Sequence, residues 1–152
     1  MKKQCEDYVR ALGQDLPPAS LTSLNTNLTI IGCGEPQTIA AYKQRTGCPF
    51  PIYCDPNRAL YAKLGMTSSL ALGDKKPDYT SPSLVTSTVT AFWNILSSGR
   101  KGFQGGDFAQ NGGEWLFEGG EVKWCRRMKH TRDHAEVREL KKVLGMKEGS
   151  KA

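Results

Sequence analysis

No two of the five cysteines, Cys5, Cys33, Cys48, Cys54 and Cys125, are separated by two residues. The chain therefore carries neither half of a zinc ribbon nor a complete two-cysteine redox motif. Their odd number and low fraction also exclude a disulfide scaffold. Histidine is scarce: only His130 and His134 are present. They are four residues apart, as a metal pair on one helix would be. No cysteine or carboxylate is placed to complete a tetrahedral set, so no metal is expected. No apolar run approaches the roughly 18 residues of a membrane span. The basic start, Met1-Lys2-Lys3, is not followed by the apolar stretch of a secretory signal, and the C-terminus carries no lipidation or peroxisomal signal. These absences lead to an expectation of reduced thiols in the cytoplasm and no membrane partner. The glycines between Gly102 and Gly113 are not followed by Lys-Ser/Thr, which excludes a phosphate loop.

What is present fits one globular domain. The 152 residues are 38% hydrophobic and 24% charged, enough to bury a core without staples. The net charge is +6. Much of the excess lies near the end, at Lys123, Arg126, Arg127, Lys129, Arg132, Arg138, Lys141 and Lys142, interleaved with Glu121, Asp133, Glu136 and Glu139. Alternating signs describe a solvated helix face better than a nucleic-acid surface.

The pattern predicts a first helix over Cys5–Leu12, with Tyr8, Val9 and Leu12 on one side, ended by Gly13 and Pro17-Pro18. Leu28–Ile31 reads as a buried strand stopped by Gly32-Cys33-Gly34, and Pro36 opens a helix that stops at Gly47. A short strand, Pro51–Cys54, precedes Asp55-Pro56 as cap and first-turn proline of a helix around Leu60, Tyr61 and Leu64. Residues Gly73–Thr80 read as a loop. Ser81–Ser98 reads as a longer helix packed across the sheet, with Leu84, Val85, Val89, Phe92, Trp93 and Leu96 as its stripe. Glu114–Glu118 and Glu121–Cys125 flank Gly119-Gly120, a strong hairpin signal. A last helix is expected over Asp133–Leu144, within a domain spanning 1–146 and followed by a disordered tail, 147–152. Hairpin followed by helix is the second half of a thioredoxin fold, and the upstream strand–helix unit supplies its first half. The expected class is thus α/β, a thioredoxin-like three-layer fold with a mixed sheet whose central N-terminal strand is missing. Removing that strand leaves two facing edges, and pairing with another copy through them is one way to close the gap.

Several fragments, in order, carry a resemblance. They are Ile31-Gly32-Cys33-Gly34 with Ile39-Ala40-Ala41-Tyr42; Tyr53-Cys54-Asp55-Pro56; Leu60–Gly65; Gly106–Trp115; and Trp124–Met128 with Thr131–His134. Together they resemble the AhpC/TSA-type, peroxiredoxin-like thioredoxin-fold proteins common in fungi, over about Cys5 to Gly145. The resemblance implies that Cys5 matches the second cysteine of a CxxC-like turn opening the first helix. The first cysteine falls at Lys2 and is absent, as is the proline-threonine-cysteine peroxidatic motif. Arg126 stands where the family commonly has histidine. The chain reads as an N-terminally truncated member.

The implied function is a thiol oxidoreductase or antioxidant domain needing no organic cofactor, weak or inactive as written. Its partners would be a thiol reductant or a small-molecule substrate. Cys5 is the candidate residual thiol: helix N-terminal amides, Lys2 and Lys3 favour its thiolate, and Glu6 and Asp7 oppose it. Its alternative is an inert thiol in a frayed terminus. Cys33, between two glycines before a helix, is a second candidate that could pair with Cys5, or simply a small residue in a tight turn. Cys48 and Cys54 read as structural, and Cys125 as a packed small hydrophobe. Two other functions fit the same sequence: a non-redox thioredoxin-fold scaffold that binds or transforms a small molecule, and an interaction module using the basic C-terminal helix.

Overall fold

A computed structural model describes residues 3–68 and 109–146. The expected Ser81–Ser98 helix, the 73–80 loop and the 147–152 tail lie outside the described residues. Helix α1 spans Lys3–Asp15 and buries Tyr8, Val9 and Leu12, the i, i+3, i+4 stripe of an amphipathic helix. It runs past Gly13, where a stop was expected. A Cβ at Gly13 would lie 3.0 Å from the Pro49 side chain. This glycine therefore admits a close neighbour rather than ending the helix. Leu16, fully buried, still donates its amide to Leu12 at 2.9 Å. Pro17 then ends the run, and Pro18 opens a short helix α2, Pro18–Ser23, that the sequence pattern did not signal.

Strand β1 (Ile30–Gly32) pairs in parallel with β2 (Ile52–Cys54), placing Gly32 opposite Cys54. Parallel strands need a crossover. Here it is a 3-10 turn, Pro36–Thr38, running into α3, Ile39–Thr46, which ends at Gly47 in the left-handed conformation (φ 64°). Helix α4 (Ala59–Lys63) starts later than Asp55-Pro56 suggested. Asp55 still caps it: its carboxylate accepts from the amides of Ala59 at 3.1 Å and Leu60 at 2.8 Å.

Strands β3 (Gly113–Glu118) and β4 (Glu121–Arg127) form the expected antiparallel hairpin. Gly119 and Gly120 turn it with φ of 59° and 85°, as a tight two-residue turn requires. Helix α5 covers only Val137–Val143, starting four residues after the expected Asp133. Residues 133–136 are instead held in a non-helical path by side-chain contacts described below. Within the described residues the two strand pairs are separate sheets, the arrangement expected of a thioredoxin-like sheet with no strand between its halves.

One core joins these pieces. Tyr8, Val9, Leu12, Leu16, Leu21, Tyr42, Cys48, Phe50 and Val137 form a single buried cluster, with Leu28, Ile30, Ile52, Leu140 and Leu144 packed against it. Helix α1 is its axis, gripped from both sides by ion pairs: Arg45 of α3 to Glu6 at 3.2 Å, and Lys141 of α5 to Asp15 at 2.9 Å. The hairpin is tied to α4 by Arg127, which donates to the Leu64 carbonyl at 2.6 Å. No helix among the described residues is long and apolar enough to cross a membrane.

Gly113 is the tightest point. A Cβ there would sit 2.5 Å from the Arg126 carbonyl and 2.5 Å from the Trp115 ring. The backbone atom cannot swing away as a side chain would. Gly113→Ala is expected to lower stability by about 3 kcal/mol in urea denaturation; an unchanged midpoint would contradict this hairpin packing.

Candidate active site

Cys5 is the third residue of α1, on the first turn, where amides without helical partners favour negative charge. The two acids expected to oppose a thiolate there are occupied elsewhere. Asp7 binds Arg10 at 2.7 Å, and Glu6 lies 3.2 Å from Arg45 and 3.7 Å from Arg10. Tyr8 lies three residues further along, on the same face of the helix as Cys5.

Over this face lies His134. Its ring stacks on Tyr8, with centroids 4.2 Å apart and planes at 17°. Its Nδ1 is 2.8 Å from Glu114 Oε1, and both side chains are largely buried, 12% and 14% exposed. Burial works against a charged imidazole. Hydrogen bonding and charge from the Cys5 thiol and the Glu114 carboxylate outweigh it and push His134 up to about 9. Cys5, His134 and Glu114 thus form a connected thiol–imidazole–carboxylate set. Glu114 fixes the ring through Nδ1, which directs the ring's other nitrogen away from the carboxylate. In general terms this is a nucleophile, a proton carrier and the group that orients it.

The sequence reading named Cys5 and missed its two partners. The i, i+4 spacing offers His134 as half of a helical metal pair with His130, but residues 130–134 do not form a helix. Among the described residues, no group of three or more histidines, cysteines or carboxylates is arranged to hold a metal ion. Glu114 looked like an ordinary strand residue, although inward spacing along the hairpin would have placed it on the domain side.

Glu114 and Arg126 are cross-strand neighbours. Arg126, whose role the sequence left open, binds Asp133 at 2.8 Å and Glu139 at 3.0 Å. Its hydrogen bond to Asp133 holds the guanidinium above its usual range. Burial would raise the Asp133 carboxyl, but the Lys129 amide and Arg126 outweigh it and hold the group below its usual range. Asp133 accepts from the Lys129 amide at 2.9 Å, and Glu114 Oε2 accepts from the Ala135 amide at 3.3 Å. These contacts use the turn that α5 would otherwise occupy. The late helix start is the consequence of placing His134 inward. Lys141 is likewise paired, with Asp15 at 2.9 Å.

The remaining cysteines differ from one another. None of the five is in a disulfide. Cys48 is buried in the core with Sγ 3.8 Å from the Phe50 carbonyl, a structural role as expected. Cys33 and Cys54 are half-buried at the carboxyl ends of β1 and β2, and burial, then Glu35 and Cys33, push the Cys54 thiol up. Cys125 is exposed, not packed. Strand alternation explains the correction: Trp124, Arg126 and Met128 point inward, so Cys125 must point out.

The AhpC/TSA antioxidant enzyme family matches residues 14–130. The chain is 28% identical to the Peroxiredoxin-like 2C of Homo sapiens, over 93% of this chain and 63% of that protein. The Peroxiredoxin-like 2C of Bos taurus is 26% identical, over 93% of this chain and 62% of its own length, and that of Takifugu rubripes 26% over 95% and 65%. The chain thus spans less than two thirds of the length of these curated relatives. No solved structure matches. The matched region includes Cys33, Cys54 and Glu114, whereas Cys5 and His134 lie on either side of it. With most of its length matched and strands and helices in the expected order, the chain belongs to the AhpC/TSA antioxidant enzyme family, and its fold is thioredoxin-like α/β.

Proposed function

We propose that this chain is a peroxiredoxin-like thiol oxidoreductase whose nucleophile is Cys5 and whose proton carrier is His134. The observation that supports this reading most is the buried Glu114–His134 pair set against the Cys5 thiol. Coupling between thiol and imidazole is mutual: each favours the charged form of the other. Near neutral pH the raised imidazole keeps its proton beside the thiol, where its charge favours the thiolate, with Glu114 balancing the ring. The thiolate attacks the terminal oxygen of a hydroperoxide. An S–O bond forms as the O–O bond breaks, and His134 passes its proton to the departing alkoxide. The product is a Cys5 sulfenic acid and an alcohol or water; an external dithiol would return the sulfur to its starting state. Such chemistry suits a reducing, cytoplasmic setting. Lys2 in place of the first cysteine of the CxxC-like turn leaves no immediate resolving partner there. Without a second thiol to take over the oxidation, peroxidase turnover is expected to be slow.

Substoichiometric iodoacetamide at pH 7, followed by peptide mapping, is expected to label Cys5 first, ahead of the exposed Cys125. His134→Asn is expected to slow Cys5 labelling by about tenfold or more. Uniform labelling, or first labelling at Cys48 or Cys54, would contradict the assignment.

The histidine also sets a pH dependence of stability. Its folded value, about 9, exceeds its ordinary 6.5. The stabilisation it contributes is therefore complete below about pH 6.5 and is lost as pH rises through about 9. The urea midpoint is expected to fall across that window, and to fall less in Glu114→Gln or His134→Asn. An identical slope in both variants and the parent would show that this pair carries no linkage.

A further inference from the structure

Strands β1 and β2 end at the same edge of their sheet, with Gly32 opposite Cys54. The Asp55 amide donates to the Gly32 carbonyl at 2.8 Å, one of the ladder bonds that set Gly32 opposite Cys54. Cys33 is the next residue after Gly32. Neighbouring Cα atoms are about 3.8 Å apart and paired strands about 4.8 Å apart, so a chain that bends at Cys33 can hold its Cα within about 7 Å of that of Cys54. Disulfide-bonded cysteines have Cα atoms about 4.4–6.8 Å apart. Cys33 lies in a bend rather than in the strand. The alternation that would send it to the opposite face from Cys54 does not bind it.

Two further observations bring the thiols together. Cys33 acts on the Cys54 thiol through charge. Tyr61, whose hydroxyl donates to the Ile31 carbonyl at 2.9 Å, lies within charge reach of Cys33, Cys5 and Cys54. Tyr61 is thus anchored beside the carboxyl end of β1, the edge where α/β sheets place their reactive groups, within charge reach of three thiols.

We propose that Cys33 and Cys54 are a redox-active dithiol, a second thiol site that takes over oxidation from Cys5. The dithiol stands on the β1–β2 register by itself; its link to Cys5 rests on the function proposed above. After a hydroperoxide has made the Cys5 sulfenic acid, the Cys33 thiol attacks that sulfur. An S–S bond forms between Cys5 and Cys33, and water leaves with the sulfenic oxygen and the thiol proton. The Cys54 thiolate then attacks the Cys33 sulfur. The Cys33–Cys54 disulfide forms, and Cys5 leaves as thiolate to react again. An external dithiol reduces the Cys33–Cys54 bond and is itself oxidised to a disulfide. This relay supplies the resolving partner that Lys2 does not.

The test uses the full chain in two arms. In the first, Cys5→Ser is oxidised with diamide, which converts dithiols to disulfides without needing Cys5. Tandem mass spectrometry must separate Cys54 from Cys48, because both lie on the tryptic peptide 46–58. The expected result is a Cys33–Cys54 linkage and loss of two thiols per chain, abolished in the Cys5→Ser, Cys33→Ser variant. Persistence of reduced Cys33 and Cys54, with an unchanged circular dichroism spectrum, would overturn the dithiol. In the second arm, the parent and Cys54→Ser are treated with one equivalent of cumene hydroperoxide. The parent is expected to accumulate Cys33–Cys54, and Cys54→Ser to stop at Cys5–Cys33. A Cys5 sulfenic acid that persists in the parent overturns the relay and leaves the Cys5 assignment standing. A Cys5 that never oxidises while the first arm succeeds overturns the Cys5 function, and the relay with it, but leaves the dithiol.

Discussion

The placement of His134 against Glu114 is the constraint on which much of this architecture depends. Two largely buried groups 2.8 Å apart are costly to desolvate unless their remaining polar atoms are also satisfied. The surroundings answer that demand for Glu114 and shape the pocket around the imidazole. Glu114 uses its second oxygen on the Ala135 amide, and Tyr8 covers the imidazole face. Gly113 lets the start of β3 pass against the Arg126 carbonyl, which brings Glu114 to its depth. Arg126 ties down Asp133, and so fixes the segment that carries His134. The loss of a helical turn before Val137 is the visible cost. Propensity alone would have continued α5 back to Asp133, and tertiary contacts override it.

The same interaction explains why Cys5 differs from the other cysteines. Helix α1 is the axis of the core, so its first turn is held rather than frayed: Gln4 is buried, and Tyr42 donates toward the Cys5 carbonyl at 3.5 Å. A thiol at this position meets helix amides from one side and an imidazole from the other. Its neighbouring acids are bound to arginines.

Local signals made much of the fold readable. Gly119-Gly120 marked the hairpin turn because both positions need positive φ. The Tyr8, Val9, Leu12 spacing marked α1, and Pro36 and Gly47 bracketed the crossover. The misreadings came where a long-range contact changed what a residue was for. Gly13 accommodates Pro49, Asp55 caps a helix that begins four residues later, and Cys125 sits on the outward face of β4. The site was legible only in part, for the same reason. Cys5 has a local signature, a helix start. His134 and Glu114 have none, because their meaning arises when residues 5, 114 and 134 converge. Only a search for a histidine and a carboxylate to accompany the thiol at the helix start could have directed attention to them.

The arrangement of thiols follows from the topology in a way the residue spacing conceals. A parallel β–α–β unit brings the residues after both strands to one edge, so Cys33 and Cys54 become neighbours despite the helix between them. The first turn of α1 packs on the helix of this unit, with Tyr42 at the Cys5 carbonyl and Arg45 at Glu6, and Cys5 lies within charge reach of Tyr61. A dithiol motif within one turn holds its two sulfurs together by chain geometry and works even when little else is folded. Thiols gathered by strand register and helix packing depend on the whole core instead. The reactivity of these thiols should therefore track global stability: conditions that loosen α1 would separate Cys5 from His134 before they disturb the covalent neighbourhood of any cysteine.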